Sequence, residues 1–429
     1  MVEKLNFIEE LKWRGMLQDI IPGTDAQLLK EKTVGYIGFD PTADSLGVGN
    51  LVQIMTLMHF QKFGHQPIVL LGGATGMIGD PSGKSEERKL LTAETIEYNL
   101  NCQRQQLMKF LDFESTQNPA LIFNNYHWFK GFSFLDFIRD IGKHITVNYM
   151  LSKDSVQKRL ESGMSFTEFT YQLVQGFDFY HLFQREGVLL QMGGSDQWGN
   201  MLTGVELIRR KLGKDAFALT TPLIKKADGS KFGKSEAGNI WLDPQKTSPY
   251  QFYQFWLNAS DEDAITFIKI FTLFDQSHIN NLIEQHQKSP HLRLLQKELA
   301  KDITIRVHGN EAFQLAVDSS ELLFGQGTIE QLKQLSSSDF LTVFNGVPVY
   351  QIAKDAIEKG PNVVELLAEL TKVFPSKGEA RKMIDGGGVS INKLKIANQQ
   401  QIVTPGDLLN NKFMLVQKGK KNYFVLEIN

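Results

Sequence analysis

The chain has 429 residues, 42% of them hydrophobic and 22% charged, with a formal net charge of -2. This length is enough for two or three domains with a sizeable core, and the composition excludes a disordered or fibrous protein. No apolar run approaches the roughly 20 residues of a membrane helix, and the single cysteine, Cys102, excludes a disulfide framework and favours a reducing compartment, the cytoplasm.

Short apolar runs alternate with helical runs through the first half of the chain. VGYIGF precedes the helical run NLVQIMTLMHFQKFG, and PIVLLGG and ALIFNN follow as further strands. After several helical segments come the strand VLLQMGG and the helix QWGNMLTGVELIRRKLG. Short strands separated by long helices predict a parallel sheet with helices on both faces, an α/β fold. Such sheets bind ligands at the carboxyl ends of their strands, so we expect the functional loops there.

The second half of the chain is predicted to be helical and to end in a small α+β unit. Its predicted parts are a helical domain at 248–324, a linker region rich in Gly, Ser and polar residues at 325–360, and the α+β unit at 361–429. The sheet domain would then span 1–247. From Ser376 to Asn429, nine Lys and Arg residues outnumber four Asp and Glu residues. This surplus favours a polyanionic partner, with a solvated charged surface as the alternative.

The loop GGATGMIGDPSGKS follows the second strand and is rich in glycine. It is not a P-loop, because the glycine required five residues before Gly83 falls at Ile78. Its glycines nevertheless allow a ligand to approach the backbone closely, and Asp80 is placed at the strand end. A plain tight turn is the alternative.

The segment YQLVQGFDF places three hydrogen-bonding side chains on one helical face. Tyr171, Gln175 and Asp178 are spaced i, i+4 and i+7, within an otherwise apolar helix. If they are buried, they need partners, and a bound polar ligand would supply them. A stripe that faces solvent is the alternative.

Two further loops are suited to a nucleotide. GGSDQWGN follows a strand and opens a helix, where free N–H groups suit an anion and Asp196 suits a ribose; helix capping alone is the alternative. ADGSKFGKSEAGN carries Lys231 and Lys234, and a mobile loop with paired cations suits a polyphosphate. An ordinary surface loop is the alternative.

Together, the ordered motifs GFDPTADSL with GVGN, GGATGMIGDPSGKS, YQLVQGFDF, QMGGSDQWGN and KFGKS resemble those of bacterial and organellar tyrosyl-tRNA synthetases. In that class I family, GVGN stands at the HIGH motif and KFGKS at the KMSKS motif. The tail SKGEARKMIDGGGVSINKLKI resembles an S4-type RNA-binding unit. The resemblance spans essentially the whole chain. It implies a Rossmann-like catalytic domain, a helical anticodon-side domain, an S4-like tail and a homodimer.

The resemblance also implies a two-step reaction with no tightly bound cofactor. L-tyrosine and ATP, with Mg²⁺, would form tyrosyl-adenylate and pyrophosphate, and the tyrosyl group would move to the 3′ end of tRNA-Tyr. The tyrosine carboxylate is already a nucleophile, so alignment and cationic stabilisation of the pyrophosphate suffice. No metal-ligating residue of the protein and no membrane partner are expected.

The family's site residues are carried over position by position. The tyrosine site would be formed by Tyr36, Asp40, Asp80, Asn125, Tyr171, Gln175, Asp178 and Gln197. The ATP site would be formed by Gly38, Gly47, Gly49, Asn50, Gly194, Asp196, Ile224 and Lys234. Pyrophosphate would be handled in the transition state by Thr42, Lys84, Arg88, Lys231, Lys234 and Ser235. RNA would be contacted in the tail by Lys377, Arg381, Lys382 and Lys393.

Within these sets, the resemblance makes Tyr36 and Asp178 the pair that hydrogen-bonds the tyrosine hydroxyl. Phenylalanine would leave that pair unsatisfied, an effect for which tyrosyl-tRNA synthetases are a standard example. Tyr171, Gln175 and Asp80 would hold the α-amino group. Asp40 and Gln197 would line the space near the α-phosphate, and Gly194 and Asp196 would bind the ribose.

Two positions depart from the family pattern. Ile37 stands where some relatives have a cysteine that touches the ribose, which implies a small loss. Gly47 stands at the first HIGH histidine, whose missing contact to the pyrophosphate end predicts adenylation slower by ~10²–10³ with nearly normal ATP binding. A non-catalytic RNA-binding relative and, less favoured, a tryptophanyl-tRNA synthetase are the alternative functions.

Overall fold

The computed structural model describes residues 6–82, 90–153, 156–157, 160, 163–235, 238–324, 329–334, 337–344, 346–419 and 422–429. The chain divides into two compact units. Unit 1 comprises 1–243 and 259–299, and unit 2 comprises 244–258 and 300–429. No helix in the described ranges is long and apolar enough to cross a membrane.

Unit 1 is organised around five parallel strands in the order β3-β2-β1-β4-β5. The strands are β1 Val34–Phe39, β2 Gln66–Leu71, β3 Leu121–Asn124, β4 Val188–Gly194 and β5 Phe217–Thr221. The interiors of β1, β2 and β4 are almost wholly buried, as expected when helices cover both faces of a parallel sheet. The predicted Rossmann-like α/β fold is confirmed.

Helices and short turns connect these strands. The helices of unit 1 are α1 Phe7–Arg14, α2 Thr24–Lys30 and α3 Leu51–Lys62, followed by Thr75–Ile78, Ala93–Leu107, Tyr126–Phe129, Phe134–Asp140, Val147–Leu151, Phe166–Glu186, Trp198–Leu212, Asp261–Phe271, Gln276–Lys288 and the first part of Leu294–His308. The short strands β6 Lys234–Ser235 and β7 Gly238–Asn239 form a hairpin.

The Phe166–Glu186 helix, called the site helix below, has clear sequence signals at both ends. Ser165 caps its first turn, where Glu168 completes a capping box. Gly187 ends the helix in the left-handed region, with φ of 68°. These signals fix where the helix begins and ends. Tyr171 and Asp178, seven residues apart on one face of the helix, are both buried.

Unit 2 joins a group of helices to a second sheet. Its helices are Pro249–Leu257, the later part of Leu294–His308, Asn310–Phe324, Ile329–Gln334, Ser337–Val343, Lys354–Glu358, Val363–Glu365 and Lys377–Asp385, with a π-helical turn at Leu366–Leu370. Its strands are β8 Val349–Ile352, β9 Val389–Ile391, β10 Leu394–Lys395, β11 Phe413–Lys418 and β12 Asn422–Ile428, in the order β10-β9-β11-β12-β8. The helical regions and the small C-terminal sheet confirm the predicted fold class.

The segment predicted as a linker, 325–360, contains regular structure where it is described. Helices Ile329–Gln334 and Ser337–Val343 lie in it, and β8 pairs in parallel with β12. Phe340 stacks on Phe413 of β11 with ring centroids 4.7 Å apart. The domain boundaries drawn from the sequence stay predictions.

Candidate active site

The predicted tyrosine and ATP residues gather around the carboxyl ends of the parallel strands in unit 1. Asp40 follows β1, the Gly72–Gly76 turn follows β2, and Gly194 ends β4. The site helix adds Tyr171, Gln175 and Asp178 from one side. Loops at this edge are where parallel sheets bind ligands.

Asp178 lies fully buried and accepts hydrogen bonds from two side chains. Asn125 Nδ2 donates to its Oδ2 at 3.0 Å, and Trp128 Nε1 donates to its Oδ1 at 2.9 Å. Burial raises the pKa of Asp178 to about 8, and the two donors oppose this rise. A ligand hydroxyl that donates to Asp178 would favour its carboxylate form in the same way as these two donors.

Tyr36 of β1 is 1% exposed, and among the described residues its hydroxyl has no hydrogen-bond partner. Burial, followed by the charge of Asp178, raises the pKa of Tyr36 well above its ordinary value, so the phenol stays protonated. An unpartnered hydroxyl at a buried position is rare and needs an explanation. A ligand that both accepts from Tyr36 and donates to Asp178 would satisfy both groups.

Asp40 and Tyr171 form the next layer of the site. Tyr171 Oη donates to Asp40 Oδ2 at 3.0 Å, and Thr75 Oγ1 donates to Asp40 Oδ1 at 2.7 Å. Burial, followed by the charges of Asp40 and Asp80, raises the pKa of Tyr171 well above its ordinary value. A Cβ on Gly72 would lie 2.1 Å from Asp40 Oδ1, so only glycine fits there.

A chain of amide side chains runs from Asp80 to the site helix. Gln197 Nε2 donates to Asp80 Oδ2 at 2.6 Å. Asn200 Nδ2 donates both to Gln197 Oε1 at 3.2 Å and to Gln175 Oε1 at 3.0 Å. This network leaves two carboxylates near Tyr171, the half-buried Asp40 and the buried Asp80, an arrangement suited to an ammonium group.

The GVGN and KFGKS loops lie against each other. Val48 N donates to Ile240 O at 3.0 Å, and Ile240 N donates to Gly233 O at 3.0 Å. Gly233 has a φ of +83°, and a Cβ there would lie 3.0 Å from Val48 Cγ2. Lys231 and Lys234 are exposed on this loop. The structure therefore brings together the two loops that are predicted to bind the nucleotide.

Gly47 and Asn50 interact through the backbone. Gly47 N donates to Asn50 Oδ1 at 3.0 Å, and Asn50 N donates to Gly47 O at 2.9 Å. The first contact engages the acceptor end of the Asn50 amide and leaves Nδ2 as the available donor. Gly47, Gly49 and Asn50 thus form the N-terminal turn before α3, where positive partial charge suits phosphate.

The remaining predicted nucleotide residues also occur at this edge. Gly194 is buried at the end of β4, and a Cβ there would lie 2.6 Å from Asp196 Oδ1. Gly38 and Thr42 are exposed, and Ile224 is half-buried after β5. Lys84 and Arg88 lie outside the described residues, as does the side chain of Ser235.

Three residues of the network were not predicted from the sequence: Thr75, Trp128 and Asn200. Thr75 and Asn200 stand inside the glycine-rich motifs themselves, so their motif position was the available signal. Trp128 lies four residues after the end of β3. The only sequence signal near it was the polar end of that strand. Its indole N–H holds Asp178, which makes it part of the same site.

The four cations predicted to bind RNA lie in unit 2. Lys377, Arg381 and Lys382 belong to helix Lys377–Asp385, where Arg381 and Lys382 are exposed and Lys377 pairs with Glu369 at 2.8 Å. Lys393 lies in the turn between β9 and β10 with its Nζ 5.6 Å from the ring of Tyr423. Burial lowers the pKa of Lys393.

Within the described ranges, no group of three or more His, Cys, Asp or Glu side chains has a metal-binding arrangement. Mg²⁺ typically reaches nucleotide sites with the substrate phosphates, helped by one or two carboxylates.

Comparison with known proteins identifies the family. The model of "tRNA synthetases class I (W and Y)" matches residues 29–325, and that of the "Tyrosine--tRNA ligase SYY-like C-terminal domain" matches residues 339–426. The chain is 61% identical to the tyrosine–tRNA ligase of Cytophaga hutchinsonii over 99% of this chain and 100% of that protein. It is 59% identical to the one from Bacteroides thetaiotaomicron, over 98% and 99% of the two chains.

A solved structure gives the same result for the fold. The C-terminally truncated mitochondrial tyrosyl-tRNA synthetase of Aspergillus nidulans is similar with a TM-score of 0.68 and 29% identity. The match covers 75% of this chain and 95% of that one.

Proposed function

The chain belongs to the class I tRNA synthetases of the tryptophan and tyrosine group, and from this premise we propose that it joins L-tyrosine to tRNA-Tyr, using ATP. The product of the first step would be tyrosyl-adenylate, and the tyrosyl group would then pass to the 3′-terminal ribose of the tRNA. The family premise leaves tryptophan and tyrosine to be distinguished, and the buried end of the site supports tyrosine.

The observation that carries this choice is the pair formed by Tyr36 and Asp178. Tyr36 offers a buried O–H donor, and Asp178 a buried acceptor that already takes bonds from Asn125 and Trp128. A phenol hydroxyl both accepts and donates, so it satisfies both residues at once. Phenylalanine and the apolar edge of an indole would leave them unsatisfied, which costs binding.

The opposite end of the amino acid would be held by Tyr171, Gln175 and Asp80. Their network through Gln197 and Asn200 supports a fixed orientation of the α-ammonium group. The substrate carboxylate would then face the α-phosphate near Asp40. Since that carboxylate is itself the nucleophile, the side chains need only align the two reactants.

The triphosphate would be handled by the two contacting glycine-rich loops. Asn50 offers its amide N–H, and Lys231 and Lys234 offer charge to the departing pyrophosphate, with Thr42, Lys84, Arg88 and Ser235 as further proposed contacts. Mg²⁺ is proposed to arrive with ATP, where it would neutralise phosphate charge. Gly47 supplies no side-chain donor, and we propose that this slows adenylation.

The proposed homodimer would form through an apolar face of unit 1. Phe134, Leu135 and Ile138, on one short helix, are 64%, 77% and 46% exposed. Large exposed apolar side chains concentrated in one region mark interaction surfaces. A second copy of the chain is the proposed occupant.

Unit 2 is proposed to bind the tRNA through Lys377, Arg381, Lys382 and Lys393. Exposed cations attract the phosphate backbone and make binding sensitive to salt. The same unit matches a C-terminal domain described for tyrosine–tRNA ligases.

Aminoacylation of purified tRNA-Tyr with labelled tyrosine tests the proposed function. We expect ATP-dependent transfer of tyrosine to tRNA-Tyr and none to tRNA-Trp. Binding of tRNA-Tyr without any transfer of tyrosine would instead favour a non-catalytic RNA-binding relative of the synthetases.

A further inference from the structure

Loop 40–46 joins β1 to the GVGN loop and, over its full length, which the structure describes, contains no helix or strand. It carries Asp40 at the amino-acid end of the site and Thr42, one of the residues proposed to contact the pyrophosphate. Buried backbone groups of a segment without regular structure need partners from elsewhere. The loop therefore depends largely on other parts of unit 1 for its hydrogen bonds.

Helix Ala93–Leu107, called the amide helix below, presents three amide side chains to this loop from one of its faces. Asn99, Gln103 and Gln106 are spaced i, i+4 and i+7. Asn99 and Gln103 are 5% and 1% exposed, and Gln106 is half-buried. Amides buried in this way need hydrogen-bond partners, and the loop supplies them.

Two of the amides donate to carbonyl oxygens in the first half of the loop. Asn99 Nδ2 donates to Pro41 O at 2.9 Å, and Gln103 Nε2 donates to Ala43 O at 2.9 Å. A carbonyl oxygen can only accept, so both amides must present their N–H groups to the loop. The carbonyls of the two residues that flank Thr42 are thus held by the same helix.

The third amide holds the end of the loop. Gln106 Oε1 accepts from Leu46 N at 2.9 Å, and its Nε2 donates to Ser45 Oγ at 3.0 Å. From another part of the chain, Leu242 N donates to Leu46 O at 2.8 Å. The loop is therefore hydrogen-bonded to two other segments directly before the GVGN loop begins.

The carboxylate of Asp40 has its own hydrogen bonds, separate from those of the loop backbone. It accepts from Thr75 Oγ1 at 2.7 Å and from Tyr171 Oη at 3.0 Å. Thr42, in contrast, is exposed, and its neighbours in the chain are held by the amide helix. Loss of the amide contacts should therefore displace Thr42 more than the carboxylate of Asp40.

We propose that Asn99, Gln103 and Gln106 are positioning residues for adenylation, which hold Thr42 where it contacts the pyrophosphate in the transition state. This proposal rests on the proposed function, which assigns that contact to Thr42. A misplacement of ~1 Å can cost about 100-fold in rate. Because the contact is made mainly in the transition state, its loss lowers the rate of the chemical step with little effect on ground-state binding.

The test is single-turnover formation of tyrosyl-adenylate by Gln103→Met, with the rate expressed per active site counted from the adenylate trapped at the end of the reaction. Methionine is similar in length to glutamine and lacks the N–H donor. We expect the rate at saturating tyrosine and ATP to fall by about 10- to 100-fold. The Kd for tyrosine, from equilibrium dialysis, should change by less than about twofold, since Asp40 keeps its own partners.

Three further variants distinguish positioning from a general loss of stability. Gln105→Met, exposed on the same helix, is the matched control and should leave the rate unchanged. Gln106→Met should lower the rate as Gln103→Met does, and it carries the test if thermal melting shows that Gln103→Met does not fold. In a Thr42→Ala background, Gln103→Met should cost less than about threefold, because the group that it positions has already been removed.

The inference is overturned if folded Gln103→Met and Gln106→Met form adenylate at the wild-type rate. It is also overturned if the losses caused by Gln103→Met and Thr42→Ala simply multiply in the double variant. Both outcomes leave the proposed function intact, because the wild type still forms tyrosyl-adenylate. A wild type that forms no tyrosyl-adenylate would contradict the proposed function and this inference together.

Discussion

At the scale of single residues, the hydroxyl end of the site is controlled by the environment of Asp178. Burial favours the protonated acid, and the donors Asn125 and Trp128 favour the carboxylate. The resulting pKa of about 8 places the titration of this group within the working range of most enzymes. A substrate hydroxyl that donates to the carboxylate would lower this pKa further, so binding and deprotonation are linked.

The first prediction is that tyrosine affinity increases with pH. Because the complex favours the carboxylate, affinity should rise as the pH approaches about 8 and level off above it, by at most about tenfold per pH unit. Equilibrium binding across this range measures it. Asp178→Asn cannot titrate and should lose the slope, whereas titration of the substrate itself is common to both proteins. An equal slope in the two proteins would contradict the role of Asp178.

The second prediction concerns Tyr36→Phe, which removes a donor without changing the ring. The ratio of kcat/KM for tyrosine over phenylalanine, measured by pyrophosphate exchange, should fall by about 3- to 10-fold, the value of one neutral hydrogen bond. Tyr98→Phe, at an exposed position, is the control and should leave the ratio unchanged. An unaltered ratio in Tyr36→Phe would mean that Tyr36 does not bind the hydroxyl of the substrate tyrosine.

The third prediction concerns Gly47→His. A Cβ at Gly47 would lie 3.3 Å from the carbonyl of Ile240, so a side chain needs a shift of a few tenths of an ångström. We expect kcat for adenylation to rise by ~10²–10³ with little change in the Kd for ATP, since the added donor acts in the transition state. Gly47→Ala carries the same steric demand without a donor and should show no gain. Equal rates in the two variants would reject the assigned role.

The sequence predicts part of this site and misses its supporting residues. Tyr171, Gln175 and Asp178 were predictable as a group, because helical spacing alone places them on one face. Trp128 was not, because its contact with Asp178 joins segments 50 residues apart and depends on tertiary packing. The unpartnered state of Tyr36 Oη is likewise a property of burial that no local pattern contains.

At the scale of elements, a buried arginine ties α1 to the rest of unit 1. Arg14 donates to Glu10 Oε1 at 2.8 Å. It also donates to the carbonyl of Lys269, in the last turn of helix Asp261–Phe271, and to the carbonyls of Thr272 and Phe274, which follow that helix. Glu10 Oε1 also lies 3.8 Å from Nδ1 of His59 on α3. These contacts therefore join α1, the last turn of α3 and helix Asp261–Phe271 within unit 1.

The fourth prediction is that Arg14→Met destabilises the protein strongly. The change leaves Glu10 Oε1 and several backbone carbonyls without the donor that Arg14 supplies in a buried place, although Trp13 still donates to Glu10 Oε2. It should cost about 3–5 kcal/mol of unfolding free energy. Arg139→Met is the matched control, because Arg139 forms exposed ion pairs with Asp136 and Asp140 and should cost under about 1 kcal/mol. Urea unfolding measures the loss of unfolding free energy in both variants. Equal losses would contradict the stabilising role of the buried Arg14 contacts.

Most strands of the parallel sheet could be predicted from the sequence. The strands β1 to β4 correspond to the predicted apolar runs, because strands buried on both faces are almost continuously hydrophobic. β5, Phe217–Thr221, was not predicted, since FALTT is short and ends in two threonines. Those threonines are fully buried and hydrogen-bonded, which only the tertiary structure supplies.

At the scale of the whole molecule, the chain combines a sheet unit that carries the chemistry with a second unit that carries the predicted RNA contacts. The helical segment 248–258 belongs to unit 2 although its sequence neighbours at 259–299 belong to unit 1. This interleaving could not be predicted from hydrophobic periodicity, because periodicity identifies helices and not the partners on which they pack.

The fifth prediction concerns the proposed dimer. Leu135→Asp, at a position 77% exposed on helix Phe134–Asp140, introduces a charge into the exposed apolar face of unit 1. We expect light scattering to show a shift from dimer toward monomer, since burying an unpaired charge is costly. Leu29→Asp, at a position 65% exposed on α2, is the control and should leave the mass unchanged. A monomeric wild type, or a Leu135→Asp variant that stays dimeric, would reject this surface.

The most direct test of the account is amino-acid-dependent exchange of pyrophosphate into ATP, measured with tyrosine, tryptophan and phenylalanine in parallel. The arrangement of Tyr36 and Asp178 predicts exchange with tyrosine, far slower exchange with phenylalanine and none with tryptophan. Exchange driven by tryptophan, or no exchange with tyrosine in either the wild type or Gly47→His, would contradict it.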